Sequence, residues 1–422
     1  MTYAALDIGS SFVKGAILDT TELRARDFSQ VATPPNIADR PDRYEIDGEA
    51  LYIAAKRMLD QLLDREPEAA GIMLCTQMHG CILTDSDFRP VSPYISWQDR
   101  ASLEIIDGTS TFERLAGIMP AGLMDRAGVP VKANLAMCSL AARGGLPENA
   151  YFNTVGGYLI SRFTGSYACH IQNAAPTGMA DVIDGAWQHE LIRLAGLDLL
   201  AFPEIKNDVS VCGIYAHNGR EYPVYPDMGD QQACVLGAML RPETDLSVNV
   251  GTAGLISSAS GTFERGGYET RPYFDGMYLK TVSGLSGGRR MDALVSDIAA
   301  GGISRDDVWA AITCLYPGLY AEEEWQRRAQ RTYAEMGAEY RDASRRISKR
   351  FERIVFSGGC VGRNPALREW LLRETGILER AGALGMDSML GMLQLALIAS
   401  GAAGDISATR AIMEKKYGKG EE

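Results

Sequence analysis

Asp7, Lys14 and Asp230 are the residues whose types and settings could do chemistry. Asp7 lies near the end of an apolar, strand-forming run (Ala4 to Ile8) that stops at Gly9-Ser10-Ser11 and resumes as Phe12-Val13-Lys14-Gly15-Ala16-Ile17-Leu18. The pattern predicts a β-hairpin whose tip holds only small, donor-rich residues. Backbone N–H groups and two hydroxyls there can be aimed at an anion, because no bulky side chain blocks the approach. A carboxylate on the incoming strand and a cation on the outgoing one suit a metal–nucleotide complex. Asp230, in Gly229-Asp230-Gln231, stands where a helix running from Gln231 to Leu240 is predicted to begin, and a helix N-terminus favours an ionised carboxylate. Taken singly, a Gly-Ser turn is ordinary chain reversal and Asp230 an ordinary helix cap.

The elements around them sharpen this. Leu246-Ser247-Val248-Asn249-Val250 meets Gly251-Thr252-Ala253 and continues as Gly254-Leu255-Ile256-Ser257, repeating the opening pattern. Two matching hairpins, one opening each half, imply a duplicated architecture with two phosphate-gripping tips. A helix is predicted over Glu49–Arg65, and short strands at Ile72–Cys75, Tyr94–Trp97, Val224–Tyr225 and Ile354–Phe356. Thr76-Gln77-Met78-His79-Gly80 and Gln98-Asp99-Arg100 follow two of these, at strand ends where ligands gather in open α/β sheets. Ala321–Arg353 reads as one long amphipathic helix with a solvated charged face. A glycine turn at Gly358-Gly359 precedes a helix starting near Asn364-Pro365.

At 422 residues the chain exceeds one ordinary core, so two domains are expected, 1–243 and 244–422, joined at Arg241-Pro242-Glu243-Thr244-Asp245. There are 45 glycines, against about 30 in an average chain of this length, which calls for many tight turns. A net charge of −12 argues against a nucleic-acid partner. Eight cysteines without a Cys-x-x-Cys pair read as buried thiols in a reducing compartment, not a disulfide framework or zinc site. No signal peptide is apparent and the apolar stretch Met389–Ala399 is too short to span a bilayer, so a cytoplasmic protein without membrane contact is expected.

Two hairpin tips, a Gly-Asp-Gln helix start and a third glycine turn together resemble the FGGY carbohydrate kinases. The resemblance covers essentially the whole chain. It implies an α/β, actin/hexokinase-like (ribonuclease H-like) duplicated two-domain fold with an interdomain active-site cleft, and ATP and Mg2+ as cofactors. Carried onto this sequence, it makes Gly9, Ser10, Ser11 and Lys14 the first phosphate loop and Gly251, Thr252 and Ala253 the second. Gly287, Gly288, Gly358, Gly359 and Asn364 fall on the nucleotide side. Asp230 becomes the catalytic base, and Asp7 with Asp230 the metal-side carboxylates, Asp7 orienting Mg2+ through water. Gln77, Met78 and His79 are similar to the sugar-contacting motif of xylulokinases, with Trp97, Asp99 and Gln231 as further sugar contacts. Trp97 reads equally as a core tryptophan or a stacking face.

Some positions depart from the family pattern. Arg100 follows Asp99 directly, where the family spaces tryptophan, aspartate and arginine as W-x-D-x-R. Thr76 replaces a glycine, Cys360 stands where a third glycine is common, and Leu384–Ala399 lacks the usual Glu-Ala-Ala-x-Gly. The runs Tyr268–Tyr273, Leu285–Arg289 and Gly362–Pro365 resemble sedoheptulokinase-type members.

The implied reaction transfers the γ-phosphoryl group of ATP to a terminal primary hydroxyl of a ketose, sedoheptulose first. Xylulokinase, ribulokinase, fuculokinase or glycerol kinase-like activity are the alternatives, and a non-catalytic sugar/nucleotide sensor is the rival of another class. Expected partners are a small-molecule sugar and ATP/ADP, with a homodimer as a conceivable assembly. Gly284-Leu285-Ser286-Gly287-Gly288 mimics a serine-hydrolase elbow, but all four histidines precede it, contrary to the order that chemistry needs. No Walker A sequence occurs.

Overall fold

In the computed structural model, which describes residues 1–348, 350–380 and 387–417, the opening run pairs as its pattern predicts. β1 (Thr2–Ile8) and β2 (Phe12–Asp19) form the hairpin, with Asp7 opposite Lys14, and β3 (Arg24–Ala32) adds antiparallel to β2. β4 (Ile72–Thr76) lies parallel on the other side of β1. β5 (Gly213–His217) and β6 (Arg220–Gly229) complete a sheet of order β5-β6-β4-β1-β2-β3. β1 and β4 are buried along almost their whole length and read as continuous apolar runs, as strands covered on both faces should.

Helix α1 (Gly48–Arg65) packs against this sheet through Leu51, Ala55, Met58, Leu59 and Leu62, a spacing that lines one helical face. The Asp47 carboxylate caps it by accepting from the Glu49 and Ala50 amides. Gly15 in β2 sets how closely it approaches, since a Cβ there would lie 2.8 Å from Met58 Cγ. Helix α2 (Val155–Thr164) joins the same core, and residues between Cys81 and Leu200 gather a separate apolar cluster.

The strand predicted at Val224–Tyr225 runs on to Gly229, broken by an irregularity between Val224 and Asp227. Parallel pairing with β4 holds it extended despite Pro226. Helix α3 (Asp230–Gly237) then starts at Asp230 and is shorter than expected.

The second sheet repeats the plan. β7 (Asp245–Val250) pairs antiparallel with β8 (Gly254–Ser260), β9 (Glu269–Pro272) and β10 (Tyr278–Leu285) follow, and β11 (Arg353–Ser357) lies parallel to β7 with β12 (Leu378–Glu379) outside it. Its order is β9-β10-β8-β7-β11-β12. In both sheets the opening strand has its hairpin partner on one side and a later parallel strand on the other, so the duplication is structural. Helices α4 (Gly288–Ala299), α5 (Glu324–Ile347) and α6 (Pro365–Thr375) cover this second core. The long helix is shorter than predicted because Arg353 is drawn into β11 opposite Asp245; Lys349 of that stretch lies outside the described residues.

The chain divides into two compact units, Met1–Leu236 with Arg271–Gly276 and Ser388–Met413, and Gly237–Thr270 with Met277–Asp387 and Glu414–Glu422. The first unit is completed by helix α7 (Asp387–Ala399), whose Gly391 meets α3 so closely that a Cβ would lie 2.1 Å from the Ala233 carbonyl oxygen. Gln394 of α7 donates to the Leu236 carbonyl at 2.6 Å, capping the end of α3. The unusual C-terminal stretch Leu384–Ala399 is thus helical from Asp387, and Leu384–Met386 lie outside the described residues. All eight cysteines are free; Cys314 is exposed, contrary to the expectation of uniformly buried thiols. Among the described residues no helix is long and apolar enough to cross a membrane.

Candidate active site

In the first unit, register brings the carboxylates near one another. Asp7 of β1 pairs with Cys75 of β4, and Cys75 with Met228 of β6, so Asp230 begins its helix just past the same row, roughly 10 Å across two strand spacings. Burial and both neighbouring carboxylates raise the thiol of Cys75, the residue between them, well above its ordinary range. Asp7 is 6% exposed; Lys14 Nζ approaches its Oδ2 at 3.6 Å and Ser388 Oγ donates to the same oxygen at 2.8 Å. The hairpin tip is anchored from β3 and beyond, with Thr33 Oγ1 donating to the Gly9 carbonyl at 2.8 Å and the Thr33 amide to the Ser11 carbonyl at 3.0 Å. Ser11 is left exposed, and Ser10 and Gly9 partly so.

Asp230 Oδ1 accepts from the Gln231 amide at 2.8 Å. A helix N-terminus was expected to favour the ionised form of this carboxyl. Its pKa is instead pushed up to about 6: burial and then the Asp7 charge raise it, and they outweigh the Gln231 amide and the Arg271 guanidinium, which lower it. Arg271 is 4% exposed and its Nη1 donates to Gln231 Oε1. It belongs to the segment Tyr268–Tyr273, whose residues suggested only a subfamily resemblance, and no local pattern marks this arginine as a neighbour of Asp230.

Around them lie the sugar-side candidates. Gln77 is 3% exposed, yet among the described residues neither its amide oxygen nor its amide nitrogen has a hydrogen-bond partner. Met78 is buried, its sulfur against Gly229. His79 adopts a left-handed backbone (φ 68°) and its Nδ1 lies 3.0 Å from the Pro176 carbonyl. Trp97 is half-buried. The buried Tyr94 hydroxyl, without a hydrogen-bond partner among the described residues, packs where Gly80 lacks a side chain.

Asp99 is a correction. It is fully buried and spent: its oxygens take Arg143 Nη2 at 2.8 Å, Arg143 Nη1 at 3.3 Å, the Tyr44 amide at 3.0 Å and the Ala101 amide at 3.1 Å. Glu45 holds the same guanidinium at 2.7 Å. Asp99 therefore braces its loop and presents no oxygen to a sugar. Arg100 is exposed and folds back to the carbonyls of Trp97 and Asp99.

In the second unit the turn Gly251-Thr252-Ala253 docks onto the start of α4, with the Gly288 amide on the Gly251 carbonyl at 2.8 Å and the Arg289 amide on the Thr252 carbonyl at 3.0 Å. A Cβ at Gly287 would lie 2.7 Å from the Ala253 carbonyl carbon, so glycine is required for the contact. Gly358 ends β11 with φ 93°, against the Val250 carbonyl. A cavity of about 600 Å³ opens beside these turns, lined by Gly288, Asp292, Trp309, Gly359, Cys360 and Arg363 among others. Asn364 borders it, but its side chain is committed, donating to the Tyr333 hydroxyl and accepting from the Leu367 amide as the cap of α6. Trp309, which no local pattern singled out, supplies the cavity's aromatic wall.

Residues 2–128 match the N-terminal domain of the FGGY family of carbohydrate kinases. Over 299 residues the chain is 25% identical to a glycerol kinase of Thermococcus onnurineus (strain NA1), a match spanning 67% of this chain and 57% of that protein. The fold is shared with a ligand-bound xylulose kinase from Lactobacillus acidophilus (TM-score 0.83, 16% identity, 99% of this chain and 92% of that one). It is shared equally with Plasmodium falciparum glycerol kinase with ADP (TM-score 0.83, 14% identity, 97% and 92%). The actin/hexokinase-like two-domain α/β architecture implied by the family resemblance is thus the observed one.

Proposed function

We propose that this chain is an ATP- and Mg2+-dependent carbohydrate kinase of the FGGY type, acting on a terminal primary hydroxyl of a small polyol or ketose. The observation that carries the reading is Asp230, a carboxylate set at a helix start beside Asp7 and poised to hold or take a proton near neutrality. A general base serves best when its pKa lies near working pH. In the reaction the acceptor oxygen bonds to the γ-phosphorus as the β–γ bridge bond breaks, and the acceptor's proton passes to Asp230.

The first unit supplies the base, the acceptor-side residues Gln77, His79 and Gln231, and the Gly9-Ser10-Ser11 tip with Lys14. The second unit, taken by itself, carries the Gly251–Ala253 turn and the Trp309 cavity, whose volume of about 600 Å³ suits a nucleoside. Two carboxylates suit a Mg2+ that takes its remaining ligands from water and phosphate; among the described residues no group of three or more metal-binding side chains occurs. Such an ion would neutralise the phosphate charge, with Asp7 holding it through water. Gln77 supports an acceptor site because a buried, unpaired amide is costly unless a ligand or rearrangement satisfies it. Sedoheptulose, from the Tyr268–Tyr273 resemblance, and xylulose and glycerol, from the relatives, are the acceptors to try first.

A coupled ADP-release assay over C3 to C7 polyols and ketoses tests this reading. At least one acceptor is expected to give turnover, and Asp230→Asn is expected to lower kcat by about 10²–10⁴-fold with the ATP KM nearly unchanged. Turnover by no acceptor would favour the sensor reading, and near-normal turnover by the variant would remove Asp230 from the role of base.

A further inference from the structure

Asp7 has two side-chain contacts, and both fall on the same oxygen. Lys14 Nζ is 3.6 Å from Oδ2, and Ser388 Oγ donates to Oδ2 at 2.8 Å. Among the described residues Oδ1 is left without a hydrogen bond. A carboxylate on a strand is otherwise free to spin about its terminal torsion, which is broad and roughly two-fold. Here one donor and one cation sit on one side and hold the group in a single orientation. The cation is weakly placed, since the Lys14 side chain is 47% exposed and sits beyond hydrogen-bond range. The hydroxyl is therefore the stronger restraint.

Ser388 is held in its turn. It lies in the first turn of α7, and that helix is pinned further along by the Gly391 crossing over Ala233 and by the Gln394 bond to the Leu236 carbonyl. Thr409 Oγ1 donates to Gln394 Oε1 at 2.9 Å, fixing that amide too. One helix thus grips both the strand end carrying Asp7 and the helix carrying Asp230.

We propose that Ser388 is a positioning residue for Asp7: by occupying Oδ2 it turns Oδ1 toward the hydrated divalent cation of a metal–nucleotide. This rests on the kinase reading above. Partners that orient a metal-side carboxylate commonly matter about tenfold or more to metal affinity.

The test compares the affinity of the 422-residue chain for MgADP with that for ADP in excess EDTA, by titration calorimetry, in wild type, Ser388→Ala and Ser388→Thr. The expected result is a loss of about tenfold in the gain that Mg2+ confers for Ser388→Ala, unchanged metal-free ADP affinity, and recovery in Ser388→Thr, which keeps the hydroxyl. Electron paramagnetic resonance of MnADP should follow the same order, without any turnover being needed. An undiminished Mg2+ gain in Ser388→Ala would overturn the proposal and leave the kinase reading intact. Equal weakening of both ADP affinities, or failure of threonine to rescue, would also overturn it by showing a structural role only. A wild type with no Mg2+ gain and no turnover would overturn both.

Discussion

At the residue scale, Asp230 concentrates a conflict between stability and activity. Its folded pKa of about 6 lies above the ordinary carboxyl range, so the folded protein binds this proton more tightly than the unfolded chain does. The associated stability is present at low pH and is lost as pH rises through about 6. Asp230→Asn should therefore melt at a higher temperature than wild type at pH 7.5 while being inactive, and the difference should shrink towards pH 5. A variant no more stable at pH 7.5 would argue that the burial and the Asp7 charge are not felt. Activity should run the other way, with kcat/KM for the acceptor falling about tenfold per pH unit below 6 as the base becomes protonated. Asp99 behaves differently. Arg143→Met would leave its charge buried and unpaired, at a cost of about 3–5 kcal/mol in a denaturant titration, with the acceptor KM of the remaining folded enzyme little changed. The pairing of Asp7 with Lys14 was legible because one hairpin carries both. Asp99 was misread because its guanidinium partner is 44 residues away and nothing local announces it.

At the scale of elements, the hairpins were read correctly because strand, turn and strand are contiguous and their residue types agree. The helix α1 was read for the same reason, down to its Arg65 end. The misreading falls where a distant strand decides: Arg353 leaves the helical pattern for β11. The role of α7 was illegible for a related reason. Its apolar run looks like any buried helix, whereas its contacts reach back 381 residues to Asp7 and 158 to Leu236. Gly391 is the position where this can be probed. An alanine there must displace α3 or α7, so Gly391→Ala is expected to cost about 1–3 kcal/mol and to lower kcat by shifting Asp230. Wild-type kcat and denaturation midpoint in that variant would contradict the close crossing.

At the scale of the whole molecule, duplication is what made the architecture readable: the second hairpin converted an ordinary glycine turn into half of a repeated design. The division of the chain into units was less readable, because Arg271–Gly276 and Ser388–Met413 belong to the unit that the first 236 residues build. This threading bears on synthesis. Domains commonly fold in order as the ribosome releases them. Here the leading unit lacks the helix that holds Asp7 and caps α3 until residues up to Ala399 have been made. A nascent chain halted at residue 243 therefore carries both carboxylates but not the brace between them, and native placement of the two must await synthesis of α7.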